Sequence, residues 1–217
     1  MLDSNDDIKV VGQLGSYLTK TTRAELKTAR GFIVPINKRV GYGLSNEILR
    51  EFDKLEIKQA ILRASPIHDE EEPETVGPVE RDELVEAVAN LQTSTERRWR
   101  PSAIIVQEYL DGELCGQIHS ENPYTGAEDE IVVETKLWVK NSVLGDDYEP
   151  EMTILDKRDG TVELESEEEE SILDADQVQQ LYRAIRKAEK VVGSPVSLDW
   201  AFVNGVLYIL RTRPLSA

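Results

Sequence analysis

The sequence has few of the residues that characterise extracellular and membrane proteins. It contains a single cysteine, Cys115, in 217 residues, so it cannot form an internal disulfide. Aromatic residues make up only 6%, and no run approaches the roughly eighteen apolar residues that a membrane span requires. The first ten residues are acidic and lack the basic and apolar regions of a secretory signal. We therefore expect a cytoplasmic protein that does not bind a membrane.

Positive charge is also scarce. The chain has 25 Lys and Arg against 42 Asp and Glu, which gives a formal net charge of -17 at pH 7. A field of this sign repels polyanions and slows their association, so nucleic acid is not an expected partner. A small anion remains compatible, because a local group of arginines or a bound metal ion overrides the net field at short range. The simpler explanation of the acidic composition is solubility or adaptation to high salt.

Residues for nucleophilic or metal chemistry are few and scattered. His68 and His119 are the only histidines, and neither lies at a spacing typical of a metal ligand or a nucleophile. No Ser-His-Asp or zinc pattern is present. We expect both histidines on the surface or in loops, and we expect Cys115 to be a small buried hydrophobe in a strand.

The hydrophobic periodicity differs between the two halves of the chain. In the first half it predicts helices over residues 12–31, 46–55 and 81–92, with extended segments at 32–35 and 57–63 and an acidic loop at 68–78. A capping-box pattern at residues 22–25 suggests that the first helix restarts there. In the second half it predicts one helix at 176–192 and strands at 103–110, 114–119, 130–134, 152–157, 196–203 and 206–213.

An arginine-rich run lies between these halves. Arg97, Arg98 and Arg100 surround Trp99 and precede Pro101. We interpret the run as a junction between two lobes, residues 1–100 and residues 101–217. Its arginines are more simply explained as solvated or acid-paired side chains than as a binding site.

Four motifs occur in an order that points to a known family. They are GQLGSYL with GFIVP at residues 12–35, AILRASP at 60–66, IIVQEYLDGELCGQIHSENPYTG at 104–126 and SPVSLDWAFVNGVLYILRTRPLSA at 194–217. Together they resemble the nucleotide-binding domain of the phosphoenolpyruvate synthase and pyruvate phosphate dikinase family. The resemblance covers nearly the whole chain.

The resemblance implies an α+β, two-lobed ATP-grasp fold that clasps ATP. It implies that the backbone of Gln107, Glu108, Tyr109 and Leu110 holds the adenine, and that two magnesium ions take part. In the family, phosphate passes to a histidine on a separate swivelling domain. That domain and the pyruvate-binding barrel have no counterpart in these 217 residues. The expected partners are therefore ATP or another small nucleotide, and a separate phosphohistidine domain or other protein.

The family pattern also assigns individual side chains. Arg63 and Arg213 match its phosphate-contacting arginines, and we assign them to catalysis because a guanidinium fork meets two phosphate oxygens. Glu134 matches an acidic strand end, where a carboxylate holds ribose or metal. Asp199 falls on a metal-binding glutamate. Arg211 falls on a metal-binding glutamine, so we assign it to the nucleotide.

Several positions depart from the family. Leu14 stands where the family has a lysine, Ser197 where it has an aspartate, and residues 137–140 where it has a glycine-rich segment. Arg211 cannot ligate magnesium, so magnesium binding is doubtful. Two functions stay open: a divergent ATP-dependent phosphotransferase domain, or a catalytically inactive ATP-grasp-like module that binds a protein.

The turn between the last two strands decides whether Asp199 and Arg211 meet. A two-residue turn at Asn204 and Gly205 would place them on opposite faces, whereas a three-residue turn pairs Val203 with Leu207 and places them on one face. The second register collects the apolar residues on one side, and we prefer it. It predicts that Asp199 and Arg211 form an ion pair. In that register the apolar face is formed by Leu198, Trp200, Phe202, Tyr208 and Leu210.

Overall fold

The computed structural model describes residues 5–68, 74–98, 101–137, 149–164 and 171–215. The chain divides into two compact units, one formed by residues 1–23 and 29–110 and the other by residues 24–28 and 111–217. Each unit contains one antiparallel sheet with helices, so the α+β class is confirmed. The junction predicted at residue 100 directly precedes a strand that belongs to the first unit.

The first unit is a four-stranded sheet with helices on both faces. Its sheet order is β1-β4-β2-β3. Every residue of β4 except the last is buried, because α2 and α3 pack on one face and α1 on the other. Its elements are α1 (Ile8–Arg23), β1 (Gly31–Val34), α2 (Tyr42–Leu55), β2 (Gln59–Pro66), β3 (Thr75–Glu80), α3 (Leu84–Arg97) and β4 (Ser102–Glu108).

Helix α1 is fixed to the sheet at a glycine. Gly12 has φ 71°, and a Cβ there would lie 1.8 Å from the carbonyl oxygen of Ser65. This close approach lets the Ser65 hydroxyl donate to Val11 O at 2.8 Å and accept from Gly15 N at 2.9 Å. No residue with a side chain could occupy position 12 without moving this contact.

The prediction that the first helix restarts at residues 22–25 is wrong. Thr22 Oγ1 donates to Leu18 O at 2.9 Å instead of capping a new turn. Glu25 adopts φ 57°, a left-handed conformation that ends the helix. The segment that follows joins the second unit, where Ile209 N donates to Lys27 O at 2.8 Å.

The second unit is a six-stranded antiparallel sheet with one helix on one face. Its sheet order is β10-β9-β5-β6-β7-β8. Helix α4 begins with a capping box between Asp174 and Gln177 and packs its apolar face on Leu198, Trp200 and Phe202. Its elements are β5 (Leu114–His119), β6 (Glu130–Leu137), β7 (Glu151–Asp156), β8 (Val162–Leu164), α4 (Ala175–Val192), β9 (Val196–Val203) and β10 (Val206–Pro214).

Two strands were not predicted. Thr75–Glu80 begins within the segment expected to be a loop, yet it forms β3, an edge strand whose Pro78 has no amide to donate. Residues 69–73 of that segment lie outside the described residues. The other missed strand is β8, which has only three residues. Among the described helices, none combines the length and apolarity needed to cross a membrane.

Candidate functional site

The face of the second sheet opposite α4 carries polar side chains in two cross-strand rows. Residues paired across antiparallel strands share a face, and the apolar residues that alternate with them pack on α4. The rows, read across the paired strands, are Glu134–Gln117–Asp199–Arg211 and His119–Ser197–Arg213. We call these seven residues the polar face.

Asp199 and Arg211 form the ion pair expected from the sequence. Arg211 Nε lies 2.6 Å from Asp199 Oδ2, and the two side chains are only 9% and 24% exposed. A charge pair so largely removed from water is held in one geometry.

The turn that produces this pair differs from the prediction. Asn204 and Gly205 form a two-residue turn with φ 50° and 71°, and Val203 pairs with Val206. The expected three-residue turn is therefore wrong. A β-bulge between Ile209 and Arg211 supplies the extra residue and brings Arg211 opposite Asp199.

The same bulge changes the apolar face of the hairpin. Tyr208 pairs with Ala201 instead of packing on the core, and Ile209 pairs with Trp200 and is buried against it. The prediction that Tyr208 and Leu210 share the apolar face with Trp200 is therefore not correct for this register.

Arg213 lies one row away from Arg211 on the same face. Its Nη2 donates to Gln117 Oε1 at 3.3 Å. An amide oxygen orients a guanidinium without neutralising it, so this contact leaves the charge of Arg213 uncompensated by Gln117.

Glu134 is held by two side chains that the sequence did not suggest as site residues. The Tyr124 hydroxyl donates to Glu134 Oε1, and His119 Nε2 lies 3.5 Å from the same oxygen. The hydrogen bonds from His119 and Tyr124 lower the pKa of Glu134, although burial opposes them. The bond to Glu134 raises the pKa of Tyr124 to about 12.

His119 is not the surface or loop residue that we expected. It is the last residue of β5 and only 6% exposed. The sequence signal that could have found it is alternation: Cys115, Gln117 and His119 occupy every second position of one strand and so share a face.

In the first unit, Arg63 and Gln107 are in contact. Arg63 Nη1 donates to Gln107 Oε1 at 2.6 Å. Arg63 pairs with Ile105, which packs against Leu14 and Leu18 of α1, so both polar residues lie on the α1 face of the sheet. Leu14 itself is buried in that apolar cluster.

The predicted base-binding segment follows directly along β4. Glu108 forms a two-pronged ion pair with Arg30, at 2.9 and 2.7 Å. The amide of Glu108 donates to Arg30 O at 2.7 Å, and that of Tyr109 donates to Gln59 O at 3.0 Å. Both amides are therefore already engaged. Leu110 is the last residue of the first unit.

Two further predicted features can be placed. Cys115 is buried as expected, and burial raises the pKa of its thiol to about 11, which makes it unreactive at neutral pH. In the segment aligned with the family's glycine-rich loop, Leu137 ends β6 with an exposed side chain, and residues 138–140 lie outside the described residues.

The polar face does not fit a divalent metal ion. Arg211 occupies the space beside Asp199 Oδ2, and a guanidinium repels a cation and offers no lone pair. Within the described ranges, no group of three His, Cys, Asp or Glu side chains is placed to hold a metal.

Comparison with known proteins gives distant relatives by sequence. No family model matches the chain. It is 24% identical over 138 residues to a probable phosphoenolpyruvate synthase of Methanocaldococcus jannaschii, and 24% identical over 135 residues to the uncharacterized phosphotransferase YvkC of Bacillus subtilis. Each match covers 52% of this chain, but only 12% and 16% of those proteins.

Solved structures are similar over nearly the whole chain. The ADP complex of PurK, an N5-carboxyaminoimidazole ribonucleotide synthetase, has a TM-score of 0.55 at 12% identity and covers 96% of this chain and 46% of its own. The D-alanine–D-alanine ligase of Bacillus anthracis complexed with ATP has a TM-score of 0.52 at 14% identity, with coverages of 92% and 53%. Such low identity defines the fold alone. The chain has the α+β, two-lobed ATP-grasp fold predicted from its sequence.

Proposed function

We propose that this chain is a divergent ATP-grasp nucleotide-binding domain of the phosphoenolpyruvate synthase and pyruvate phosphate dikinase type. It binds ATP or another small nucleotide without a magnesium ion beside Asp199. The observation that carries the proposal is the Asp199–Arg211 ion pair on the polar face, at 2.6 Å. The distant sequence relatives, and the nucleotide complexes among the structures of the same fold, support it.

The two arginines of the polar face are the side chains suited to a phosphate group. Asp199 neutralises Arg211, whereas Arg213 contacts the neutral amide of Gln117. We assign Arg213 to phosphate because its fork can donate two parallel hydrogen bonds to phosphate oxygens. At short range such arginines can act against the overall charge of -17.

Arg63 provides a second phosphate contact in the proposal. Gln107 Oε1 accepts from its Nη1 and fixes the direction of the guanidinium. In this arrangement Gln107 acts through its side chain, in addition to the base-binding backbone role that we assign to Gln107, Glu108, Tyr109 and Leu110.

Phosphotransfer by this chain would need a phosphoryl acceptor supplied by another domain or protein. A separate phosphohistidine domain or other protein partner would bring it. The altered positions reduce what the chain supplies, because buried Leu14 cannot contact a phosphate and Arg211 cannot ligate a metal. The replacement of the family's lysine by Leu14 and of its glutamine by Arg211 favours a second candidate function, a catalytically inactive ATP-grasp-like module that binds a protein partner.

Calorimetric titration with ATP, in EDTA and in excess magnesium, tests the proposal. We expect binding in EDTA. We expect Arg213→Gln or Arg63→Gln to weaken it by about 10- to 100-fold, since each removes a charge-assisted hydrogen bond. The matched control is Arg186→Gln on α4, which removes an exposed arginine paired with Glu189 and should leave the affinity unchanged.

Three results would contradict it. Binding that is equally tight in the Arg63 and Arg213 variants would place the nucleotide elsewhere. Binding that requires magnesium in the wild type would contradict the role given to Arg211, and no binding under either condition would favour the protein-binding module.

A further inference from the structure

Glu134 is oriented by a short polar array that no part of the proposed function requires. Its Oε1 accepts from the Tyr124 hydroxyl and faces His119 Nε2 at 3.5 Å. Within the described residues, Oε2 makes no hydrogen bond, and the side chain is 17% exposed. One carboxylate oxygen is thus fixed by the protein, and the other remains available as an acceptor.

The turn before β6 holds Tyr124 in place. Asn122 Oδ1 accepts from the amides of Tyr124 and Thr125 at 2.9 and 3.1 Å, while Asn122 Nδ2 donates to Glu130 Oε2 at 2.5 Å. An Asn side chain that bridges its own turn in this way restricts the backbone. The Tyr124 ring is 63% exposed, so packing alone does not explain its position.

His119 lies on β5, the strand that pairs with the Glu134 strand β6. Its Nδ1 is buried and has no partner among the described residues, and neither has the hydroxyl of Ser197, directly opposite in register. The two atoms are neighbours in register, but they do not form a hydrogen bond with each other. Because both atoms are fully buried, Ser197 and His119 do not form an accessible nucleophile.

We infer that Tyr124 and His119 are positioning residues, which fix one oxygen of the Glu134 carboxylate and turn Oε2 toward a hydrogen-bond donor of the bound nucleotide. The inference rests on the proposed function for its ligand. Its geometry stands independently, since two donors converge on one oxygen of a carboxylate. An anion fixed in this way accepts hydrogen bonds without the entropy loss of ordering a mobile side chain.

The test compares Tyr124→Phe with Tyr182→Phe. The first variant removes the hydroxyl on Glu134 from an exposed ring, and the second removes a hydroxyl that donates to the neutral Lys157 O at 3.2 Å. Carbon-13 NMR of the glutamate carboxyl groups measures the pKa of Glu134. We expect Tyr124→Phe to raise that pKa and Tyr182→Phe to leave it unchanged, because Tyr124, unlike Tyr182, donates a hydrogen bond to the ionised form.

Two further readouts connect the array to the ligand. Absorbance titration should show that Tyr124 has a pKa of about 12 in the wild type and a pKa nearer 10 in Glu134→Gln. The Tyr124→Phe variant supplies the signal of the other tyrosines, which is subtracted. ATP affinity should fall by about 3- to 10-fold in Tyr124→Phe, the effect of one hydrogen bond. In a Glu134→Gln background, the same change should have no effect.

The outcomes separate the two proposals. The positioning role is overturned if Tyr124→Phe leaves the pKa of Glu134 unchanged. It is also overturned if the wild type binds ATP and the Tyr124→Phe variant binds it equally tightly. If the wild type binds no ATP while the pKa of Glu134 still responds to Tyr124→Phe, the proposed function fails and the positioning of Glu134 is supported.

Discussion

Asp199 and Arg211 set the charge at the β10 edge of the polar face. A carboxylate alone at this position would attract a cation, whereas the pair carries no net charge and its arginine is only 9% exposed. Neither residue can change alone without leaving the other charge largely buried. The pair is therefore expected to contribute to folding as well as to ligand selectivity.

A double-mutant cycle on this pair measures that contribution. Because removal of one partner leaves an uncompensated charge, Asp199→Asn and Arg211→Gln should each destabilise the protein by about 3 kcal/mol. The double variant should lose clearly less than the sum, because no buried charge remains. Urea unfolding followed by circular dichroism gives the free energies. Additive losses would show that the two side chains do not stabilise each other.

The last hairpin shows which features a sequence defines and which it does not. Alternation of polar and apolar residues correctly predicted strands at 196–203 and 206–213, and it predicted that Asp199 and Arg211 share a face. The turn length was wrong because two arrangements, a longer turn or a bulge, both add one residue to β10. The Asn204-Gly205 pair itself favours the two-residue turn, whereas the bulge that accompanies it is revealed only by the packing of Ile209 on Trp200.

A deletion tests the bulge directly. Without Leu210, a regular ladder pairs Ile209 with Trp200 and Arg211 with Asp199, as now. We expect this variant to fold and to keep the ion pair. Deletion of Thr212 should instead move Arg213 opposite Leu198 and off the polar face. NMR contacts across the two strands report the register; loss of the Asp199–Arg211 pairing in the Leu210 deletion would contradict the bulge assignment.

Contacts between distant turns and strands were the least predictable. The sequence singled out Glu134 but not Tyr124 or His119, which determine its environment. Tyr124 reaches Glu134 only because Asn122 closes its turn, and His119 does so only because β5 and β6 pair in one register. Alternation along β5 puts His119 on the face of Gln117, but the contacts with Glu134 depend on tertiary pairing, which local periodicity does not define.

The excess of acidic residues affects the stability of the whole chain in two opposite ways. At neutral pH the charge of -17 is self-repulsive, so protonation toward the pI of about 4.6 relieves repulsion. Several carboxylates, however, have lowered pKa values because they are paired. A hydrogen bond from Arg158 lowers the pKa of Asp156 from 3.8 to about 2, and one from Arg81 lowers that of Asp53.

These shifts predict where acid destabilises the protein. A carboxyl group whose pKa is lower in the folded than in the unfolded chain adds stability above its unfolded pKa, and that stability is lost as the pH falls through the folded value. For Asp156 the window runs from about pH 4 to about pH 2. Urea midpoints should therefore be constant or rise from pH 7 to pH 5, because repulsion declines, and then fall steeply below pH 4.

Arg158→Gln should reduce that steep loss of stability, since the pKa of Asp156 returns toward its ordinary value. The control Arg183→Gln, at an exposed position on α4, should leave the loss unchanged. A midpoint that declines steadily from pH 7, or an Arg158 variant with the acid profile of the wild type, would show that these pairs do not control acid unfolding.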